Sequence, residues 1–301
     1  MIGGLFNRDF EMSVGGQKLS IQNINPVTKA ITPALRVKFA IEKSDNRDPN
    51  CSSLEIYNLS EPNRRVLQAG AELAETSRKA GLFYDWPLVI ESGYAGSMGM
   101  VFSGDIVHAD SHLEGVDWKT TIEAEDGGNR YRYARLPKGG LSFGAGTPVL
   151  TVLTALATAL GVGLGNSAAH FALGAQRGYL NFDHGVALTG RVVKLLNKYV
   201  TSAGYHWSIQ DGQLQVLAPD ETLMDSITVL SSLTGLVGSP EKGEKGVIKA
   251  KSLLQPSIKP GRRVMMLSKA ITGSYKATKV SIFGDTWGTD WYTEFEGTPV
   301  T

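Results

Sequence analysis

The stretch "GVDWKTTIEA" at residues 115–124 returns as "GTDWYTEFEG" at residues 288–297. Gly115, Asp117, Trp118, Thr120, Ile122 and Glu123 match Gly288, Asp290, Trp291, Thr293, Phe295 and Glu296, at a spacing of 173 residues (117 to 290). Solenoid repeats recur at about 20–50 residues, so this spacing points instead to two related units in one chain. Both copies alternate as a strand does, which requires each unit to contain a comparable sheet.

The chain has 301 residues, enough for two or three domains at about 100–200 residues each. Lys and Arg number 30 against 29 for Asp and Glu. That balance argues against a general electrostatic footprint for nucleic acid or anionic membrane. A single cysteine, Cys51, excludes an intrachain disulfide framework and cysteine-based zinc sites. Arg8, Asp9 and Glu11 stand where a secretion signal needs an apolar run, so no such signal is read. The stretch from Leu141 to Gln176 lacks charge, but "TPVLTVLTALATALG" places Thr147, Thr151, Thr154 and Thr158 on one helical face. It reads as an amphipathic helix with Thr147 as N-cap, too short for a span of about 20 residues.

Alternation and turn residues divide the chain into three. In the first region, "DFEMSVGGQKLSI" (9–21) reads as two short strands around Gly15-Gly16, and "ALRVKFAIEKS" as a half-buried strand. Ser60 precedes a short helix, "EPNRRVLQAG", with Gly70 at its exit. Further strands end near Asp126, giving a β-rich barrel or sandwich with one helix. The middle region, about 130–220, is α+β. Its second helix, "ALTGRVVKLLNKYVTSAG", has a stripe of Leu188, Val192, Leu195, Leu196, Tyr199 and Val200, and Asp211-Gly212 marks a type I′ hairpin. The last region returns to strands, interrupted by the charged loop "SPEKGEKG" (239–246).

Few residues suggest chemistry. His108, Asp110 and His112 sit at i, i+2, i+4, a spacing that puts two imidazoles and a carboxylate on one face of a strand. The plainer reading ends the strand near Val107 and makes "HADSHLEG" an exposed hairpin loop. "GGLSFGAGTPVLTVL" lacks the Lys-Ser/Thr of a phosphate-binding loop. No catalytic set and no cofactor are expected. Trp118, Trp287, Trp291 and Tyr292 would suit sugar stacking if exposed together. Lys242, Lys245, Lys249, Lys251, Lys259, Arg262 and Arg263 form a basic cluster, read as a solvated face before a surface for passing DNA or an acidic partner.

In order along the chain, "SSLEIYNLSEPNRRVL", "GYHWSIQDGQLQVL", "KGVIKAKSLLQPSIKPGRRVMML" and "VSIFGDTWGTDWYTEFEG" resemble the phage baseplate hub family. The resemblance implies a β-rich α+β fold, with two related tube-like β-barrel or sandwich domains (1–127 and 223–301) flanking an α+β middle domain (128–222). The last domain is free to borrow strands from the middle region. It further implies a virion protein of the tail baseplate, assembled in the host cytoplasm. That protein would form a homotrimer whose six similar domains make a pseudo-sixfold ring. The implied partners are tail tube or distal tail proteins above, a central spike below and other baseplate proteins around. DNA would be met only in passing through the lumen, and no stable membrane insertion is implied. A metallohydrolase on His108, Asp110 and His112 and a carbohydrate-binding tail adhesin are the alternatives.

Overall fold

Where the sequence alternates, the computed structural model forms strands. It describes residues 8–19, 35–94, 96–166, 181–202 and 204–300, without the side chains of 224 and 225. Ser20, Ile21 and His170, named above or within a stretch read above, lie outside the described residues.

In the first region β1 (Arg8–Val14) and β2 (Gln17–Leu19) form the hairpin around Gly15 and Gly16, both at positive φ. β3 (Val37–Ser44) buries Val37, Phe39 and Ile41, and β4 (Cys51–Tyr57) buries Leu54 and Ile56. Then come α1 (Glu61–Lys79), β5 (Pro87–Tyr94), β6 (Ser97–Glu114) and β7 (Asp117–Glu125). The middle region holds α2 (Gly128–Tyr133), β8 (Leu141–Phe143), α3 (Val149–Leu160), β9 (Val186–Leu188), α4 (Val192–Ser202), β10 (His206–Gln210) and β11 (Gln213–Leu217). The last region is β12 (Leu223–Ser231), β13 (Leu236–Lys242), β14 (Ile248–Leu253), β15 (Arg262–Leu267), β16 (Thr272–Asp285) and β17 (Trp291–Pro299).

Thirteen of these strands share one sheet, running β13-β14-β17-β16-β3-β4-β7-β6-β5-β1-β2, with β15 on β16 and β12 on β15. The first and last regions therefore meet by main-chain pairing of β3 with β16, and are not separated by the middle region as their order in the chain suggests. Their apolar faces form one core, drawn from residues 10–124 and 230–295. The sheet curls enough for β1 to reach back to the β16–β17 turn. There the Arg8 guanidinium donates to the carbonyls of Asp285 (3.2 Å), Gly288 (2.5 Å) and Thr289 (3.1 Å). The middle region packs a second core of its own, from residues 134–216.

Four local readings change. α1 does not stop at Gly70 but runs on to Lys79. Gly70 is buried inside the helix, because a Cβ there would lie 2.3 Å from the Trp86 ring. Thr147 does not cap α3, since its hydroxyl donates to Gly144 O at 2.7 Å and Pro148 holds the cap position. Gly161 does end α3, at φ 71°. Leu188 belongs to β9 and not to the stripe of α4, which starts at Val192. Half of the charged 239–246 loop is strand, because Glu241 and Lys242 pair with Lys249 and Ile248. Among the described residues no helix is long and apolar enough to cross a membrane.

Candidate functional site

The repeated stretch opens β7 in the first region and β17 in the last, and each strand closes a hairpin, with β6 and with β16. The likeness goes beyond the matched residues. β3, β4, β5, β6 and β7 pair in the order 3-4-7-6-5, and β13, β14, β15, β16 and β17 pair in the order 13-14-17-16-15. Every one of these pairings is antiparallel. β6 bulges between Ile106 and His108, opposite Ala124 and Glu123. β16 bulges between Ala277 and Lys279, opposite Gly297 and Glu296, which are the matching positions. A bulge adds one unpaired residue and sharpens the strand's bend, so the two hairpins curve at the same point.

The matched threonine and apolar positions below the tryptophan keep their burial. Thr120 and Thr293 are fully buried, as are Ile122 and Phe295, while Glu123 and Glu296 face outward. The tryptophans part company, although the sequence predicts that they pack alike. Trp291 is 3% exposed: its Nε1–H donates to Gly93 O at 3.0 Å, and its ring meets the Phe39 ring edge-on at 5.5 Å. Trp118 is 39% exposed and lies under the Arg64 guanidinium of α1, 4.0 Å from the ring centre. The sheet has curled β1, β3 and β5 over Trp291, whereas the ring of Trp118 is roofed by the Arg64 side chain from the first turn of α1. Trp287 is exposed and Tyr292 is half-buried, with the Lys251 ammonium 3.3 Å from its ring centre. Burial of Trp291 thus removes the central member of the sugar-stacking set.

His108, Asp110 and His112 lie on β6, which continues as strand to Glu114 where a loop was the plainer expectation. The strand persists because β7 pairs with it residue for residue, His112 with Lys119 and Glu114 with Asp117. All three side chains are exposed on one face, and His112 Nδ1 lies 3.3 Å from Asp110 Oδ2. Among the described residues no three His, Cys, Asp or Glu side chains are placed to hold one ion. The basic cluster is partly neutralised across strands: Lys249 pairs with Glu296 (2.9 Å), Lys251 with Glu294 (3.3 Å) and Lys259 with Asp211 (2.8 Å).

The strongest electrostatic feature was legible in the sequence only as a turn. Asp211 and Gly212 form the expected tight turn between β10 and β11, both at positive φ. The Asp211 carboxylate then reaches into the large sheet, against β3 and β6. It accepts from the buried ammonium of Lys43, from the Ser103 N–H at 3.2 Å and from Lys259 at 2.8 Å. Asp126, with no exposed surface, accepts the N–H groups of Asp211 (2.6 Å) and Gly212 (2.9 Å). Asn50 bridges Asp126 and Ile209 O. Residues from the first, middle and last regions meet in this cluster. Burial works to raise the pKa of Asp211, but Lys43 and Lys259 hold its carboxyl below the usual range. Burial pushes Asp126 up to about 6, against the pull of its N–H donors and Lys43. Asp105, half-buried and facing the charge of Asp85, is also pushed up to about 6, chiefly by desolvation.

A carboxyl with a raised pKa keeps its proton in the folded state after the unfolded chain has lost it. Its stabilisation is complete below about pH 4 and is lost as pH rises through about 6. At about 1.4 kcal/mol per pKa unit, Asp126 supplies up to about 3 kcal/mol of that decline. Urea unfolding from pH 4 to pH 7 is expected to show stability falling across this window. The fall should be smaller in Asp126→Asn and nearly absent when Asp105→Asn is added. An unchanged slope in both variants would refute the assignment.

The sequence matches a family model described as "Baseplate hub gp41" over residues 18–281. No curated protein matches the chain. The fold is similar to that of the 43 kDa tail protein of prophage MuSo2 from Shewanella oneidensis (TM-score 0.59, 9% identity, 97% of each chain covered). It is also similar to a tail protein from Neisseria meningitidis MC58 (TM-score 0.57, 11% identity, 97% of this chain and 96% of that one). A third likeness is to the E. coli c3393 protein, a type VI secretion component itself described as similar to T4 bacteriophage tail proteins (TM-score 0.56, 8% identity, 96% and 77% covered). At these identities the solved structures speak for the fold, while the family model spans most of the sequence, taking in the β6–β7 hairpin and most of β16 but ending before β17. The chain belongs to the baseplate hub gp41 family of phage tail proteins.

Proposed function

We propose that this hub subunit assembles as a homotrimer whose paired units build a pseudo-sixfold ring. The observation that carries the reading is the shared pairing order of the two strand sets, with a bulge at the matching position in each hairpin. Residues 1–127 and 223–301 are then two related tube-like units, and 128–222 is a middle unit pinned to them by Asp126 and Asp211. Three chains supply six similar units, which can match a sixfold tail tube or distal tail protein on one side and a threefold central spike on the other. Closed rings of this kind follow from a rotation that returns to its start. The role is structural, within the virion baseplate, after assembly in the host cytoplasm. Other baseplate proteins would surround the ring, and DNA would meet it only in the lumen.

Light scattering of the purified chain, with class averages from electron microscopy, tests this. The expected result is a mass of three chains and a ring with threefold symmetry and six similar lobes. A chain that stays monomeric as concentration is raised would sink the reading.

A further inference from the structure

The two strand sets differ at one edge, and the difference names an interface. In the last region the stretch of β16 from Lys279 to Asp285 is paired on both sides, by β17 and by β3. The matching stretch of β6, from His108 to Glu114, is paired by β7 alone. β5 covers β6 only as far as Asp105, and beyond it Ile106 N–H bonds to Trp86 O. Among the described residues no main-chain hydrogen bond reaches the second edge of 108–114. β3, which fills that place on β16, has its own counterpart in β13. Both are the outermost strand of their set, β3 beside β4 and β13 beside β14. β3 is used within the chain, whereas β13 ends the sheet with its outer edge unpaired among the described residues.

We propose that β13 of one copy adds antiparallel to the 108–114 edge of β6 in the next copy, as β3 adds to β16 within each chain. The inference rests on the ring reading above and specifies its contact between subunits. One chain carries both halves of the joint, so the contact is head-to-tail and propagates until it closes. An unpaired edge is a template for strand addition, and the intrachain joint sets the register. Ala40 of β3 stands opposite Phe283 of β16. Glu241 occupies Ala40's place, since it pairs with Lys249 and Lys249 with Glu296, as Ala40 pairs with Ser53 and Ser53 with Glu123. His112 occupies Phe283's place, since it pairs with Lys119 as Phe283 does with Tyr292. Glu241 of one copy therefore faces His112 of the next. Pro240 fits an outer strand that must not pair along its whole length, and the irregular pairing of β13 between Val237 and Glu241 surrounds it.

The test is a cysteine pair, His112→Cys with Glu241→Cys, in a Cys51→Ser background. Facing residues of an antiparallel pair lie within disulfide reach. Mild oxidation is expected to convert most of the chain to covalent dimers and trimers, reversed by reductant, while each single variant gives little. Ala40→Cys with Phe283→Cys in the same background should close within one chain, which verifies the register and the chemistry. A trimeric chain in which the control closes and the 112/241 pair does not would overturn this interface and leave the ring reading standing. A chain that is monomeric at every concentration would overturn both.

Discussion

Asp211→Ala is expected to lower the unfolding free energy by about 3–5 kcal/mol, the loss typical of removing one partner from a buried ion pair. The carboxylate is the anion for two ammonium groups, and Lys43 is 2% exposed, so its charge has no recourse to water. The Ser103 N–H loses its acceptor as well. Alanine also resists the left-handed backbone at φ 54°, which costs a further ~1 kcal/mol. Asp211→Asn separates these contributions, because asparagine tolerates that backbone but brings no charge. It should recover the turn's share and little of the rest. Urea unfolding at pH 7 reads both variants, and a loss under about 1 kcal/mol for the alanine variant would show that the buried pair contributes little net energy. The same change should loosen the middle region from the large sheet, since the turn carrying Asp211 anchors it to Lys43 of β3 and Ser103 of β6. Hydrogen exchange at the 210–213 turn and around Asn50 would report that.

The second large effect separates the two tryptophans. Trp291→Ala is expected to cost about 3–5 kcal/mol, in the range for emptying a buried aromatic site. The ring's neighbours, Phe39 and the Gly93 carbonyl, belong to strands that lie far away in the sequence and cannot close around the void together. Trp118→Ala is expected to cost no more than about 1 kcal/mol, because the half-wet ring loses chiefly its contact with Arg64. Equal losses at the two positions would mean that the motif packs alike in both copies, against the burial described here. Denaturant midpoints at an unchanged m-value are the measurement.

Much of the local structure was legible because it depends on near neighbours. Alternation in 35–44 and 291–297 marked strands, and Asp211-Gly212 marked a two-residue turn whose backbone needs positive φ at both positions. What was misread had its cause elsewhere in the chain. Gly70 resembles a helix exit until Trp86 needs its space. "HADSHLEG" resembles a loop until β7 pairs with it. "SPEKGEKG" resembles a loop until β14 takes up Glu241 and Lys242. Asp126 and Asp211 are 85 positions apart, and no spacing rule connects them.

That two alternating stretches of one kind recur 173 residues apart (117 to 290), so that this chain builds comparable strands twice, is written in the residues alone. They carry this because period-two alternation sets which side chains a strand can bury, whatever lies next to it. The fold alone settles that the two strand sets join through β3 and β16, that Trp291 is sealed while Trp118 stays half in water, and that among the described residues no second strand pairs with the 108–114 edge of β6. Those outcomes depend on which distant strand arrives at an edge. The main-chain groups that receive it are the same at every residue but proline, so the sequence of the edge does not name its partner.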